Sequence, residues 1–427
     1  MLPNQAKKLI TSGELDKKLG DLYGEDRVLS GRARYLAAIN EFAKLYGDER
    51  DINIFSVSGR SELSGNHTDH NGGRVIAAAV DLDVIAVASA CAGSVIRLKS
   101  DGFDEYCVDF DSYSFPKEEL FGSSESIISG VISGLNINGF KFGGFDGYMT
   151  SNVPVGSGLS SSAVFENLIG TIENHFYNGG EIEPITLAKI SKYAETDFFG
   201  KPCGLMDQIA CAVGGIVAID FSDSATPVVE PIPFDINAEG YKLCVVNAGG
   251  SHANLTDEFA SIPSEMKAVA AYFGKKLLCE LKKADVLQNI ASLRASLGDR
   301  AVMRALHFFD ENERVLLQKK ALSEQDLDTF LANVIGSGRS SFCYLQTIFT
   351  PKDSRDQGLS LALYLAESYL KDKKGAWRVH GGGFAGTILA FVPSAHVDGF
   401  KSMMDSAFGG GACRVLKIRK EGAERIL

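Results

Sequence analysis

The chain has 427 residues, 45% of them hydrophobic and 23% charged, and a formal net charge of −11. That is enough polypeptide for two or three domains, or for two lobes sharing a cleft, and its composition excludes a disordered or fibrous chain. The acidic balance argues against a nucleic-acid binder, so an anionic ligand has to be met by a local positive field.

Residues 1–50 are charge-rich. Leu15, Leu19, Leu22 and Tyr23, then Tyr35, Leu36, Ile39, Phe42 and Leu45, recur at helical spacing and predict two helices ahead of the main fold. Strand-like stretches follow at 52–57, 75–79, 84–89, 95–98 and 105–110, then a helix near 124–135 and a strand at 144–150. A Gly/Ser run opens into an apolar-patterned helix at 164–169. A second lobe is predicted to begin near Gly215, with strands at 216–221 and 242–247, a helical tract over 262–345 and a strand at 386–392. This order predicts α+β lobes around a cleft rather than an alternating doubly wound sheet. The expected division is a helical extension at 1–50, one lobe at 51–214 and another at 215–427. No internal repeat and no low-complexity linker separates these parts.

No apolar segment has signal-peptide or membrane-spanning length. Eight cysteines, at 91, 107, 203, 211, 244, 279, 343 and 413, form no CxxC pair and sit mostly among apolar neighbours. They read as buried thiols of a reducing compartment, so a cytoplasmic protein is expected, with neither nucleic acid nor membrane as partner.

Three segments carry chemistry. The first is Pro154-Val155-Gly156-Ser157-Gly158-Leu159-Ser160-Ser161-Ser162-Ala163. Glycines let backbone N–H groups turn toward one centre, serines add donors, and the helix that follows contributes its positive end, which makes an anion cradle suited to a triphosphate. Read alone, the run fits a flexible loop equally well. It is not a Walker A loop and has no lysine, so charge neutralisation falls to another group, a metal first. The second is Gly59-Arg60-Ser61-Glu62-Leu63-Ser64-Gly65-Asn66-His67-Thr68-Asp69-His70-Asn71-Gly72-Gly73, which composition alone reads as a solvated turn. The third is Val379-His380-Gly381-Gly382-Gly383-Phe384-Ala385-Gly386, read alone as a tight strand entry where backbones approach closely.

Together, and in this order, the three segments resemble those of the GHMP kinases, small-molecule kinases that include galactokinases, homoserine kinases and mevalonate kinases. The resemblance covers about residues 52–392. The second segment is similar to the galactokinase pattern Gly-Arg-x-Asn-Leu-x-Gly-Glu-His-Thr-Asp-Tyr-Asn-Gly-Gly, and Pro202-Cys203-Gly204-Leu205-Met206-Asp207-Gln208 resembles a further galactokinase block. The resemblance implies a two-lobed α+β GHMP kinase fold: an N-terminal lobe of the ribosomal protein S5 domain 2-like type, a ferredoxin-like C-terminal lobe, and here an additional helical N-terminal segment. It implies ATP-dependent phosphorylation of the anomeric hydroxyl of galactose by a monomer or homodimer using Mg2+. Arg60 and Asp207 match the catalytic pair. Gly156, Ser157, Gly158, Leu159, Ser160, Ser161 and Ser162 match the phosphate loop, and Ser162 and Glu195 match the Mg2+ ligands. Asn66, His67, Asp69, Gly204 and Phe259 match sugar-contacting positions.

The chemistry is coherent, because phosphoryl transfer needs an oriented nucleophile, a metal bridging phosphates and positive donors where charge develops. Two positions depart from the galactokinase pattern. Asn66 stands where a glutamate meets the C6 hydroxyl, and Phe259 stands where a tyrosine meets the C4 hydroxyl. Galactose is therefore the primary acceptor reading, with galacturonate or another hexose derivative as the alternative. A non-catalytic sugar and ATP sensor is the alternative of a different class. The intact Arg60, Asp207, Glu195 and Ser160–Ser162 favour the enzyme. Gly336-Ser337-Gly338-Arg339-Ser340-Ser341 reads either as a helix interruption with an N-capping serine or as a phosphate contact.

Overall fold

The computed structural model describes residues 1–110, 116, 118–154, 158–223, 225–250 and 255–427. Its first sheet is built on β1 (Asn53–Ser64) and β2 (Arg74–Cys91), joined by β3 (Val95–Ser100), β4 (Glu105–Asp109) and β5 (Gly144–Ser151) in the order β1-β2-β5-β3-β4. β6 (Ile216–Asp220) pairs with the first part of β2, and β7 (Val228–Ile232) pairs with β6. The second sheet comprises β8 (Tyr241–Asn247), β9 (Ala376–His380), β10 (Thr387–Pro393) and β11 (Cys413–Leu416), ordered β11-β8-β10-β9. The last strand, β12 (Ala423–Arg425), returns to the first sheet beside β1. Only the β3–β5 pairing is parallel among these ladders.

β2 explains much of the layering. Its side chains alternate between faces, as strand geometry requires. Ile76, Ala78, Val80, Val84, Ala86 and Ala88 enter the central core, whereas Val75 and Ala77 face the helix Met206–Val213, and Ile85 and Val87 face the N-terminal helices. The sequence splits this run into two strands because Asp81 and Asp83 interrupt it. The structure keeps one strand because both carboxylates are paired, Asp81 with Arg27 and Asp83 with Arg34 and Arg419.

The N-terminal segment forms three helices, Pro3–Ser12, Asp16–Tyr23 and Val28–Tyr46, rather than two. They are an integral layer of the first lobe: Ala6, Ile10, Leu19, Leu22, Tyr35, Ile39 and Phe42 share one core cluster with Ile52, Ile54, Ile85, Val87 and Tyr148.

The boundary expected at residue 215 is corrected by β6 and β7, which belong to the first sheet, and by β12, which brings the C-terminus back to it. Gly214-Gly215 is a close approach: a side chain at Gly214 would collide with the backbone of Lys420–Gly422. The lobes also share one core, since Leu243, Val245, Leu389 and Phe391 of the second sheet cluster with Phe55 and Ile76 of the first. The helical tract is divided into Thr256–Tyr272, Lys283–Gln288, Ile290–Leu297, Asp299–Ser323 and Leu327–Ser340. Among the described residues no helix is long and apolar enough to cross a membrane.

Candidate active site

The register of β1 against β2 shifts between Ser58 and Arg60. Such irregularities re-aim side chains, and this one sits at Arg60. A Cβ on Gly59 would lie 3.1 Å from Leu159 O and 3.2 Å from Leu82 O, so only glycine lets the Gly/Ser loop settle here without displacement. Arg60 donates through its backbone N–H to Leu159 O at 3.3 Å and through Nη1 to Gly158 O at 2.6 Å. The loop is thereby anchored to the strand that bears the arginine.

Asp207 lies at the start of the helix Met206–Val213, with about a third of its side chain exposed. Arg60 Nε donates to its Oδ1 at 2.8 Å, and Ser160 Oγ donates to its Oδ2 at 2.5 Å. Burial pushes the carboxyl up, but the Arg60 charge and the Ser160 hydroxyl outweigh it and hold the group below its ordinary value. Ser160 does this from a left-handed backbone conformation, φ 63°, next to Gly158 at φ 71°. Strain of this kind persists where the surroundings over-determine it. Gly156 and Ser157 lie outside the described residues. Leu159 is buried, and Ser161 begins the helix Ser161–Asn178, whose Val164, Leu168, Ile169 and Ile172 enter the core.

At the second residue of that helix, Ser162 Oγ donates to Glu195 Oε1 at 2.9 Å. Glu195 sits on a π-helical turn, Ala194–Phe198, that continues the helix Pro184–Tyr193, a local irregularity common at functional sites. Its other oxygen accepts from Gln208 Nε2 at 2.8 Å, and Gln208 also donates to the buried Glu166 at 3.1 Å. Lys201 Nζ lies 2.6 Å from Glu195 Oε1. Sequence reasoning missed Lys201 and Gln208 as site residues. Both flank Asp207 within a few positions, but only the fold shows that they converge on Glu195. Burial disfavours the Lys201 ammonium, yet the Glu195 carboxylate more than offsets this and raises it above its usual value.

The loop 65–73 stands beside Gly204, three residues before Asp207. A side chain at Gly204 would collide with Asp69 Oδ2, so Gly204 admits the aspartate to this corner. His67, at φ 58°, is bonded through Nε2 to Gly382 O at 2.9 Å. A carbonyl only accepts, so Nε2 carries the proton and Nδ1 is left as an acceptor. Burial is the main cause that pushes the His67 imidazolium down to about 4, which keeps the ring neutral. Phe259 packs on Gly382 and meets Phe384 edge-on at 5.4 Å, forming an apolar wall.

Asn66, expected at a sugar-contacting position, turns inward. It is fully buried and its amide is spent on Glu62, Gly381 and Ser341, because a buried amide without partners is costly. The segment 336–341 is corrected. Instead of a helix interruption, it runs within the helix Leu327–Ser340 and into a π-helical turn, with Gly338 packed on Arg378 and Trp377.

His380 of the third segment is buried, with Nε2 3.1 Å from Ser61 Oγ and Nδ1 2.9 Å from Thr387 Oγ1. Burial, then Arg60 and Arg378, keep it neutral. It links β1 to β9 and β10 beneath Gly158.

Comparison with known proteins agrees with this geometry. The family model for the GHMP kinases N terminal domain matches residues 126–215, and the galactokinase galactose-binding signature matches residues 40–90. A galactokinase from Actinobacillus pleuropneumoniae serotype 3 is 31% identical over 368 residues, 84% of this chain and 90% of that one. A galactokinase from Clostridium tetani is 29% identical over 374 residues, 86% and 91% of the two chains. Among solved structures, Lactococcus lactis galactokinase complexed with galactose superposes with a TM-score of 0.76 at 22% identity, over 90% of this chain and 98% of that one. A mevalonate kinase superposes with 0.60 at 16% identity, over 86% and 99%. With its sugar-motif loop, phosphate loop and overall fold all matched, the chain belongs to the galactokinase family of GHMP kinases.

Proposed function

We propose that this protein is an ATP-dependent sugar kinase that phosphorylates the anomeric C1 hydroxyl of galactose, yielding galactose 1-phosphate, ADP and a proton. The observation that carries the reading is Asp207, held between Arg60 of the sugar motif and Ser160 of the phosphate loop. A carboxylate there faces an acceptor hydroxyl on one side and an incoming phosphoryl group on the other. Held below its ordinary pKa, Asp207 is a weak base. It orients the hydroxyl and takes its proton late, once the oxygen is bonding to phosphorus and has become acidic. Arg60 keeps Asp207 ionised and supplies positive charge where the transferring group develops negative charge.

Residues Gly156–Ser162 form the cradle for the triphosphate in this reading, and the Lys201 ammonium adds the charge that the loop itself lacks. Ser162 and Glu195 fit Mg2+: they offer two hard oxygens 2.9 Å apart, and no cluster of three or more His, Cys, Asp and Glu side chains forms a dedicated cage among the described residues. Mg2+ typically takes one or two carboxylates and keeps waters and phosphate oxygens. Bound there, it would neutralise phosphate charge. His67, Asp69, Gly204 and Phe259 line the acceptor site, with His67 Nδ1 accepting from a sugar hydroxyl. The unpaired cysteines suit a reducing compartment, and we place the enzyme in the cytoplasm.

A panel of galactose, galacturonate, N-acetylgalactosamine, glucose and arabinose, followed by ADP release, tests the acceptor. Galactose is expected to give the highest kcat/KM. Faster turnover of galacturonate would overturn the galactose assignment, and binding of ATP and galactose without ADP release would identify a sensor.

A further inference from the structure

The loop that carries His67 and Asp69 is held from behind by residues far along the chain. Asn66 Nδ2 donates to Gly381 O at 2.8 Å and to Glu62 Oε1 at 3.2 Å, and its Oδ1 accepts from Ser341 Oγ at 3.0 Å. Two acceptors face the amide nitrogen and a hydroxyl faces the oxygen, which sets the orientation of the amide. The main-chain oxygen of Asn66 accepts from His307 Nε2 at 3.0 Å, while His307 Nδ1 accepts from Ser340 Oγ at 2.8 Å. Glu62 is itself fixed by the fully buried Arg378, whose Nη2 lies 2.6 Å from Oε1 and whose Nη1 donates to Leu63 O at 3.0 Å. The partners come from the helix Asp299–Ser323, the π-helical turn Ser341–Leu345, β9 and the glycine turn after it.

The residue after Asn66 is His67, a non-glycine residue in the left-handed region at φ 58°. That conformation is intrinsically unfavourable and persists only where neighbouring contacts impose it. The contacts that impose it are those of Asn66 on one side and the His67–Gly382 bond on the other.

We propose that Asn66, Ser341 and His307 are positioning residues that set the sugar loop against the C-terminal lobe, so that His67 and Asp69 meet the acceptor in register with Asp207. The proposal rests on the sugar-kinase reading. Ser341 and His307 touch none of Asp207, Ser160 or Glu195, so their loss weakens sugar binding without disturbing the phosphoryl-transfer groups or the nucleotide.

The test measures galactose Kd by calorimetry, together with kcat, both KM values and Tm, for Ser341→Ala, His307→Ala and His307→Gln. Ser341→Ala is expected to raise galactose Kd and KM about tenfold, with kcat and the ATP KM within about twofold of wild type. His307→Ala should behave likewise, whereas His307→Gln, whose amide can still donate to the Asn66 carbonyl, should recover most of the affinity. Unchanged galactose affinity in both alanine variants, or equal rises in the galactose and ATP KM values, would overturn the positioning role while the wild-type enzyme still binds galactose. Wild-type protein that binds no galactose would instead overturn the sugar reading itself and the proposal with it. If one alanine variant does not fold, the other decides between these outcomes.

Discussion

Asp207→Asn is expected to lower kcat by about 10² to 10⁴-fold, the range typical of removing a positioned general base, while nucleotide affinity stays close to wild type. The substitution is nearly isosteric. An asparagine can still accept from Arg60 through its Oδ1, and its Nδ2 can donate to the Ser160 hydroxyl, so the corner formed by β1, the phosphate loop and the helix Met206–Val213 keeps its shape. What is lost is the negative charge that attracts the acceptor proton and the partner that offsets Arg60. Pre-steady-state measurement of ADP formation, with nucleotide binding followed separately by calorimetry, distinguishes the two effects. Retention of full turnover would remove Asp207 from the chemistry. Loss of nucleotide binding alone would move its role to the phosphate loop.

A second large effect is expected far from the reacting atoms. Asp83 is fully buried and accepts from Tyr23 Oη at 2.5 Å, Ser56 Oγ at 2.5 Å and Arg419 Nη1 at 3.2 Å, and it is ion-paired with Arg34. It ties the N-terminal helices, β1, β2 and the C-terminal segment to one point. Asp83→Ala leaves two arginines without their buried counter-charge and should cost about 3 to 5 kcal/mol, lowering Tm by roughly 3 to 5 °C for a chain of this length. Tyr23→Phe removes the hydroxyl's bonds to Asp83 and Tyr35 but leaves both arginines paired, and should cost less, about 2 kcal/mol. Thermal melts of both variants check the ordering, and equal Tm values would contradict it.

The same cluster has a pH signature. Burial pushes the Asp83 carboxyl up, but Arg34 and Arg419, with Ser56 and Tyr23, bring it below its ordinary value of 3.8. A depressed folded-state value means that the contribution is complete above the unfolded-state value and is lost as pH falls through the lower folded-state value. Acid unfolding of wild type should therefore lose this contribution below about pH 4, a loss absent from Asp83→Ala.

Features governed by local periodicity were legible before the fold was known. The helix after the Gly/Ser run follows from apolar residues at 164, 165, 168, 169 and 172, and the second-sheet strands near 242–247 and 386–392 follow from short apolar runs. Features that depend on distant partners were not. Asp81 and Asp83 look like strand breakers until Arg27, Arg34 and Arg419 arrive from segments outside β2. Gly214-Gly215 looks like punctuation until the C-terminal segment is seen lying against it.

The site divides in the same way. Arg60, Asp207, Ser162 and Glu195 were nameable from motif order, and the fold brings each pair within hydrogen-bonding distance. The inward turn of Asn66 was not readable, because its partners Gly381 and Ser341 lie in the C-terminal half. Lys201 was overlooked for a different reason: a lysine beside Pro202 carries no pattern of its own, and only the turn that carries Glu195 gives it a partner.

In the proposed reaction Asp207 and Arg60 act on the anomeric oxygen of a sugar while the Gly/Ser loop holds ATP. Phosphorus and carbon NMR of the product formed from ATP and carbon-labelled galactose tests it most directly. A single sugar phosphate is expected, its phosphorus coupled to C1, formed in equal amount with ADP. Phosphate on another hydroxyl, or ADP formed with no sugar phosphate, would contradict it.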